Sequence, residues 1–224
     1  MAAALALYEW NWAEAENQFN HALELDPSSA PTHQSYGDFL IRMGKREQAV
    51  EQLERARELE PFSPFINTFA AVTQTDDDAA LQRLRFAIDL DPDFYLAHVV
   101  ASHIYRRKKM YPEAIEEARL AKQLSPGQTH SDVVLAYSLV DSGKPEEARA
   151  ILIELLRISK TRFVPPVNIA SVHDALGETD QALAMLEKGY EIRDPRMTFL
   201  KIAPVSNDLR EHPRFQDLLR RVGF

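Results

Sequence analysis

The chain contains no cysteine. That excludes disulfides and thiolate metal sites, and it removes one sign of secretion. Glycine is scarce, seven residues in 224. There is no glycine-rich phosphate loop, no Gly-x-Ser-x-Gly and no His-Glu-x-x-His. No apolar run approaches the ~18 residues that a membrane helix needs. The opening Met1–Trp10 is apolar, lacks a basic leading region and soon turns polar, so it does not read as a signal peptide. A cytoplasmic location is the default expectation. Positive charge is in deficit: 26 Lys and Arg stand against 34 Asp and Glu, a net −8. Such a balance argues against a nucleic-acid-binding surface over the whole chain.

What is present is an alanine that returns. Ala15, Ala49, Ala80, Ala114, Ala148 and Ala182 are spaced by 34, 31, 34, 34 and 34 residues. At roughly one chance in ten per position for a common residue, six of six is about a one-in-a-million coincidence. A period near 34 signifies a stacked array of small units. Other columns keep the same phase. Four residues on stand Phe19, Leu53, Leu84, Ala118, Leu152 and Leu186; seven on, Ala22, Ala56, Ala87, Ala121, Leu155 and Gly189; ten on, Leu25, Leu59, Leu90, Leu124, Ile158 and Ile192. Offsets of 0, 4, 7 and 10 trace one stripe of an α-helix.

Proline closes the first four units at Pro27, Pro61, Pro92 and Pro126, because it disfavours helical geometry in the residue before it. Lys160 and Asp194 take that place in the last two, with Pro165-Pro166 and Pro195 following. Gly44, Gly143 and Gly177 lie seventeen residues before the closing position, where a first helix ends and positive φ is needed. Small residues recur upstream at Gly37, Ser102, Ala136 and Ala170. Each unit is therefore helix, tight turn, helix. The 31-residue unit is expected to lose three residues in its turn, around Thr75–Asp78. The inserted Lys160–Phe163 is expected to bend the array.

With these columns the chain resembles the tetratricopeptide repeat family over residues 1–196. The resemblance implies an all-α, right-handed α-α superhelix. It divides into a partial repeat 1–29, repeats 30–63, 64–94, 95–128, 129–162 and 163–196, and a C-terminal helical cap, 197–224. Met197–Leu200 reads as a further helix. His212–Arg221 reads as an amphipathic one whose Phe215, Leu218 and Leu219 cover the last repeat. The first unit begins inside its own first helix, which suggests a piece of a longer protein. Asp208–Phe215 resembles the ending of such arrays in bacterial signalling and transcriptional regulators, and Trp10–Glu16 an internal segment of them.

Chemistry is thinly signalled. His98 and His103 diverge by roughly 140° on a helix. Adjacent His173 and Asp174 do not face each other. All read as structural or solvated. Asp76-Asp77-Asp78 lacks calcium-loop spacing and reads as a helix cap. No catalytic residue, cofactor or metal is expected. Arg106-Arg107-Lys108-Lys109 reads as a solvated helix end or as a clamp for an acidic peptide.

The resemblance implies that first helices line a concave groove. It places there Gln34, Asp38, Arg42, Thr68, Val72, Val99, His103, Arg106, Arg107, Val133, Tyr137, Asp141, Val167 and Ser171; for any one of them, packing between helices is the alternative. Family members that grip carboxylate termini do so with Lys and Asn at set positions. Gln34, Asp38, Val99 and Val133 occupy those positions here, which speaks against a chaperone-tail clamp. The strip suits an extended or helical segment of another protein. The expected function is thus a non-enzymatic interaction module. Self-association through the apolar N-terminal edge (Leu5, Leu7, Tyr8, Trp10, Trp12) is the alternative. No membrane or nucleic-acid partner is expected.

Overall fold

All six recurring alanines have no exposed surface, and the column four residues on is buried throughout. The column at ten does not share this fate: Leu25 and Ile192 are exposed and the others half-buried. The stripe thus tilts out of the core toward each helix end.

The computed structural model describes residues 1–224. A short α1 (Ala2–Ala4), a π-helical turn (Leu5–Glu9) and α2 (Trp12–Leu25) form the first hairpin. Five helix pairs follow: α3 (Ala30–Arg42) with α4 (Arg46–Leu59), α5 (Pro64–Val72) with α6 (Asp77–Leu90), α7 (Tyr95–Arg107) with α8 (Tyr111–Leu124), α9 (His130–Asp141) with α10 (Pro145–Ile158), and α11 (Pro166–Ala175) with α12 (Thr179–Glu191). The cap is a 3-10 helix (Pro195–Phe199), then α13 (Asn207–Glu211) and α14 (Pro213–Val222). The architecture is a right-handed superhelix of antiparallel pairs.

Small residues set the distance within a pair. A Cβ added at Gly37 would lie 2.5 Å from Leu53 Cγ, on the partner helix. Ser102 uses the same slot differently, donating its hydroxyl to the Ala114 carbonyl at 2.6 Å. The turns take left-handed residues at Gly44, Gly143 and Gly177 (φ 73°, 80° and 75°), and Lys109 and Trp10 adopt the same conformation at 59° and 55°.

The short repeat loses its residues from a helix and not from the turn. α5 has 9 residues where α3 and α7 have 13. That is about one turn. Asp76 caps the next helix, accepting from the amides of Asp78 and Ala79 at 2.8 and 2.9 Å. At Met197–Leu200, where a further helix is expected, the chain forms the 3-10 turn and then runs irregularly to Ser206.

The two ends of the array meet. Trp12 Nε1 donates to the Val222 carbonyl at 2.9 Å, and its indole stacks on Phe224 with centroids 5.3 Å apart. Trp10 packs on Tyr190 at 5.2 Å, while Arg193 lies over the Trp10 ring and donates to the Tyr8 and Glu9 carbonyls. Phe215 and Leu218 are buried in one cluster with Leu183 and Leu186 of α12, against which Trp10 and Trp12 also pack. The cap therefore covers the last repeat and the first one together. Trp10 and Trp12 are thus in contact with the chain's own C-terminal part, while Leu5 packs among the first helices and Tyr8 stays exposed.

Gly37→Ala should lower the urea midpoint with an unchanged slope. Overpacking against buried Leu53, about 1–3 kcal/mol, outweighs the roughly 0.5–1 kcal/mol that Ala gains over Gly in a helix. An unchanged or higher midpoint contradicts the close contact. Trp12→Ala should speed amide exchange in α14, 210 positions away along the chain, about as much as in α2. An effect limited to α2 would refute the closure.

Candidate functional site

Because the ends meet, the concave side encloses a cavity of ≈ 650 Å³, lined by 32 residues of which 20 are hydrophobic. Each first helix contributes side chains one turn apart. Asp38 and Arg42 come from α3, Thr68 and Val72 from α5, Val99 and His103 from α7, Val133 and Tyr137 from α9, Val167 and Ser171 from α11. Four residues assigned to the groove by sequence stand outside this lining: Gln34, Arg106, Arg107 and Asp141.

Three of the four residues of the basic run are matched within the chain. Arg106 Nε donates to Asp141 at 2.7 Å and its guanidinium lies 4.7 Å from the Tyr137 ring centre. Arg107 pairs with Asp77, and Lys108 with Asp78 at 2.5 Å. The run thus ties α7 to its neighbours on both sides, to the cap of α6 and to the end of α9.

Inside the cavity most polar groups are also committed. Arg42 contacts Asp38 at 2.6 Å, donates to Thr198 Oγ1 at 2.8 Å and lies 4.0 Å from the centre of the Phe199 ring. Tyr137 donates to Asp174 at 3.0 Å; burial, followed by the Asp174 charge, pushes the phenol well above its ordinary range. Asp174 also accepts from the amide and hydroxyl of Ser206. It thereby fastens the irregular segment of the cap to α9 and α11. His98 does not face the cavity. It bridges Glu117 (2.7 Å) and the Pro92 carbonyl (3.2 Å), and the Glu117 contact raises its pKa.

Three groups matter here that periodicity did not single out. His130 begins α9 and lines the cavity, as does Arg196 in the 3-10 turn. Phe163, in the inserted segment, lines the cavity while 69% exposed; Val72 and Ile202 line it too, each 39% exposed. Burial is the main cause that lowers the pKa of His103 to about 4 and that of His130 to about 3; the charges of Arg106 and Arg107 act on the first, and that of Arg196 on the second. Both imidazoles are neutral at pH 7. No group of His, Asp and Glu is placed to hold a metal ion, and no helix is long and apolar enough to cross a membrane.

Family models described as tetratricopeptide repeat match residues 30–62, 70–129 and 167–195, together more than half of the chain. The chain belongs to the tetratricopeptide repeat family, whose fold serves to hold other proteins. No curated protein matches the sequence. Among solved structures it is similar to a thermophilic member from Thermus thermophilus, with 22% identity and TM-score 0.60 over 86% of this chain and 100% of that one. It is also similar to PilW, a type IV pilus biogenesis factor (14%, 0.61, 93% and 91%). A third is a tetratricopeptide repeat protein of Parabacteroides merdae (16%, 0.57, 96% and 88%). The likeness is one of fold.

The neutral histidines give a signed pH dependence. A depressed folded-state pKa means that the unfolded chain binds protons first, so stability is full above about pH 6.5 and falls as the pH drops toward the folded values near 4 and 3. Urea midpoints should decline from pH 6.5 to 4.5 in the wild type and decline less in a His103→Gln/His130→Gln variant. Parallel curves would show that neither imidazole is held neutral.

Proposed function

We propose that this chain is a non-enzymatic interaction scaffold that receives a segment of another protein on its concave face, seating its apolar side chains against exposed lining residues, Val72, Phe163 and Ile202 among them. The observation that carries this reading is the exposure of these three side chains in the lining of a mostly hydrophobic cavity. Exposed apolar surface gathered at a concavity is the usual mark of a recognition site. Asp38, Arg42, Val99, Val133, Tyr137, Val167 and Ser171 belong to the same lining. Because Arg106 and Arg107 are paired within the chain, apolar contact and not an acidic clamp drives capture. The resemblance of Asp208–Phe215 to regulator arrays supports a place in a bacterial signalling or transcriptional regulator acting in the cytoplasm. The second reading, self-association through Leu5, Leu7, Tyr8, Trp10 and Trp12, has less apolar surface to offer, since Trp10 and Trp12 pack in part against the cap while Tyr8 stays exposed.

Selection of a displayed random peptide library against the folded chain tests this. Enriched peptides should share an apolar anchor, and Phe163→Asp should weaken them roughly tenfold, the scale of one lost apolar contact at an interface centre. Arg107→Ala should leave them within about twofold, as expected for an exposed ion pair. Failure to enrich, or loss with Arg107→Ala and not with Phe163→Asp, overturns the reading.

A further inference from the structure

In an array of antiparallel pairs, the connections from one unit to the next lie along one edge. Here that edge is divided by charge. Residues 86–105 hold three acids, Asp89, Asp91 and Asp93, and no Lys or Arg; residues 155–173 hold Arg157, Lys160 and Arg162 and no Asp or Glu. The first stretch spans the α6–α7 connection and the second the α10–α11 connection. Between them lies the uncharged α8–α9 connection, Ser125–Thr129. Arg157 pairs with Glu154 at 2.7 Å, whereas Lys160 and Arg162 face no carboxylate within ion-pair distance and the three aspartates face no cation. Arg162 donates to the Gly127 carbonyl at 3.2 Å, so the inserted segment leans on the neutral connection. Aromatic surface accompanies both charges. Phe65 stacks on Phe69 with centroids 4.7 Å apart and reaches Phe94, beside the aspartates, at 5.8 Å. Phe62, in the adjoining α4–α5 connection, is 74% exposed, and Phe163 is exposed at the basic end.

Exposed apolar side chains gathered beside unpaired charge mark an interaction surface. The charges say what covers it. The two patches are opposite in sign, each carries phenylalanine, and they stand one connection to either side of the neutral one. A two-fold axis at the neutral connection lays the acidic patch of one copy on the basic patch of another, and the same contact forms again in reverse. Such a pairing is isologous and closed. We propose that this loop edge docks a second copy of the chain, with Asp89 and Asp93 of each copy facing Lys160 and Arg162 of the other and Phe163 set against the Phe65–Phe94 pair. The surface is distinct from the apolar N-terminal edge. It goes beyond the concave-face reading and does not rest on it, although Phe163 also lines the cavity.

Sedimentation of the full chain over a concentration series tests the proposal. The wild type should pass from monomer to dimer as its concentration rises at low salt. It should stay monomeric at ~1 M NaCl, where the screening length falls to about 3 Å. Lys160→Glu/Arg162→Glu and Asp89→Lys/Asp93→Lys should each be monomeric at low salt, because each sets like charges opposite one another. Mixed in equal amounts, the two variants should dimerise again, since both contacts regain opposite charges. All four side chains are exposed, so the urea midpoints should stay near that of the wild type. A wild type that remains monomeric up to ~1 mM at low salt overturns the proposal whatever the variants do. So does a mixture that stays monomeric while both variants fold. Growth beyond a dimer means a head-to-tail contact and overturns the two-fold pairing. A dimer that persists at ~1 M NaCl overturns the charged contact, and its loss in Tyr8→Asp would assign association to the N-terminal edge instead.

Discussion

The contact between Trp12 and the C-terminal helix is the constraint on which the concave side depends. A solenoid of stacked helix pairs normally presents an open groove, since each unit touches only its neighbours. Here the indole N–H reaches the Val222 carbonyl and the ring stacks on Phe224. Arg193, Trp10 and Tyr190 extend the seam, and Arg42 reaches Thr198 and Phe199 across it. A groove becomes a chamber with a floor and a rim. Its polar groups are then judged by the rule for interiors, where every unpartnered donor is unfavourable, and not by the lenient rule for surfaces.

That change of rule separates the two sets of basic residues. Arg106, Arg107 and Lys108 look like a site in the sequence, yet each has an acid from a neighbouring repeat within reach. Such half-exposed pairs contribute about 0–1 kcal/mol apiece and serve more to set the stacking angle than to hold the fold. Arg196 is isolated in the sequence and draws no attention there. It lies beside Asp194, whose charge is its largest electrostatic counterpart, so the cavity's two arginines each have an acid, Asp38 for Arg42 and Asp194 for Arg196.

Much of this architecture is legible from period alone. The alanine columns report packing, and those six side chains are fully buried. The left-handed turn recurs even where the residue is Lys109 or Trp10, because position in the unit decides the backbone there. Asp76 as a cap follows from its place before a helix. The limits are equally physical. A contact between residues 12 and 222 has no periodic signature, so ring closure is not readable from the columns. The shortening of α5 is assigned by sequence to the turn, because a three-residue deletion leaves the same alanine spacing wherever it falls.

The charge ladder is a different case, since its signal is present in the sequence but lies outside the apolar columns. Lys45 pairs with Glu16, Arg83 with Glu54, Arg107 with Asp77, Lys108 with Asp78, Arg119 with Glu147 and Arg149 with Glu178. Every one of these pairs joins opposite charges from neighbouring units, at an offset slightly under the repeat length. In a stacked array a charge whose counterpart stands at that offset belongs to the stack, because neighbouring helices bring the two side chains together whatever the ligand. By that criterion Arg107 and Lys108 are structural, and Arg106 is engaged by Asp141 of the next unit at an offset of 35. Arg196 stands outside the ladder: residues 166 to 168, at that offset before it, are Pro166, Val167 and Asn168, and its acid is the near neighbour Asp194. Subtracting the ladder from the charged residues therefore separates, from sequence alone, the charges that join neighbouring repeats from the rest.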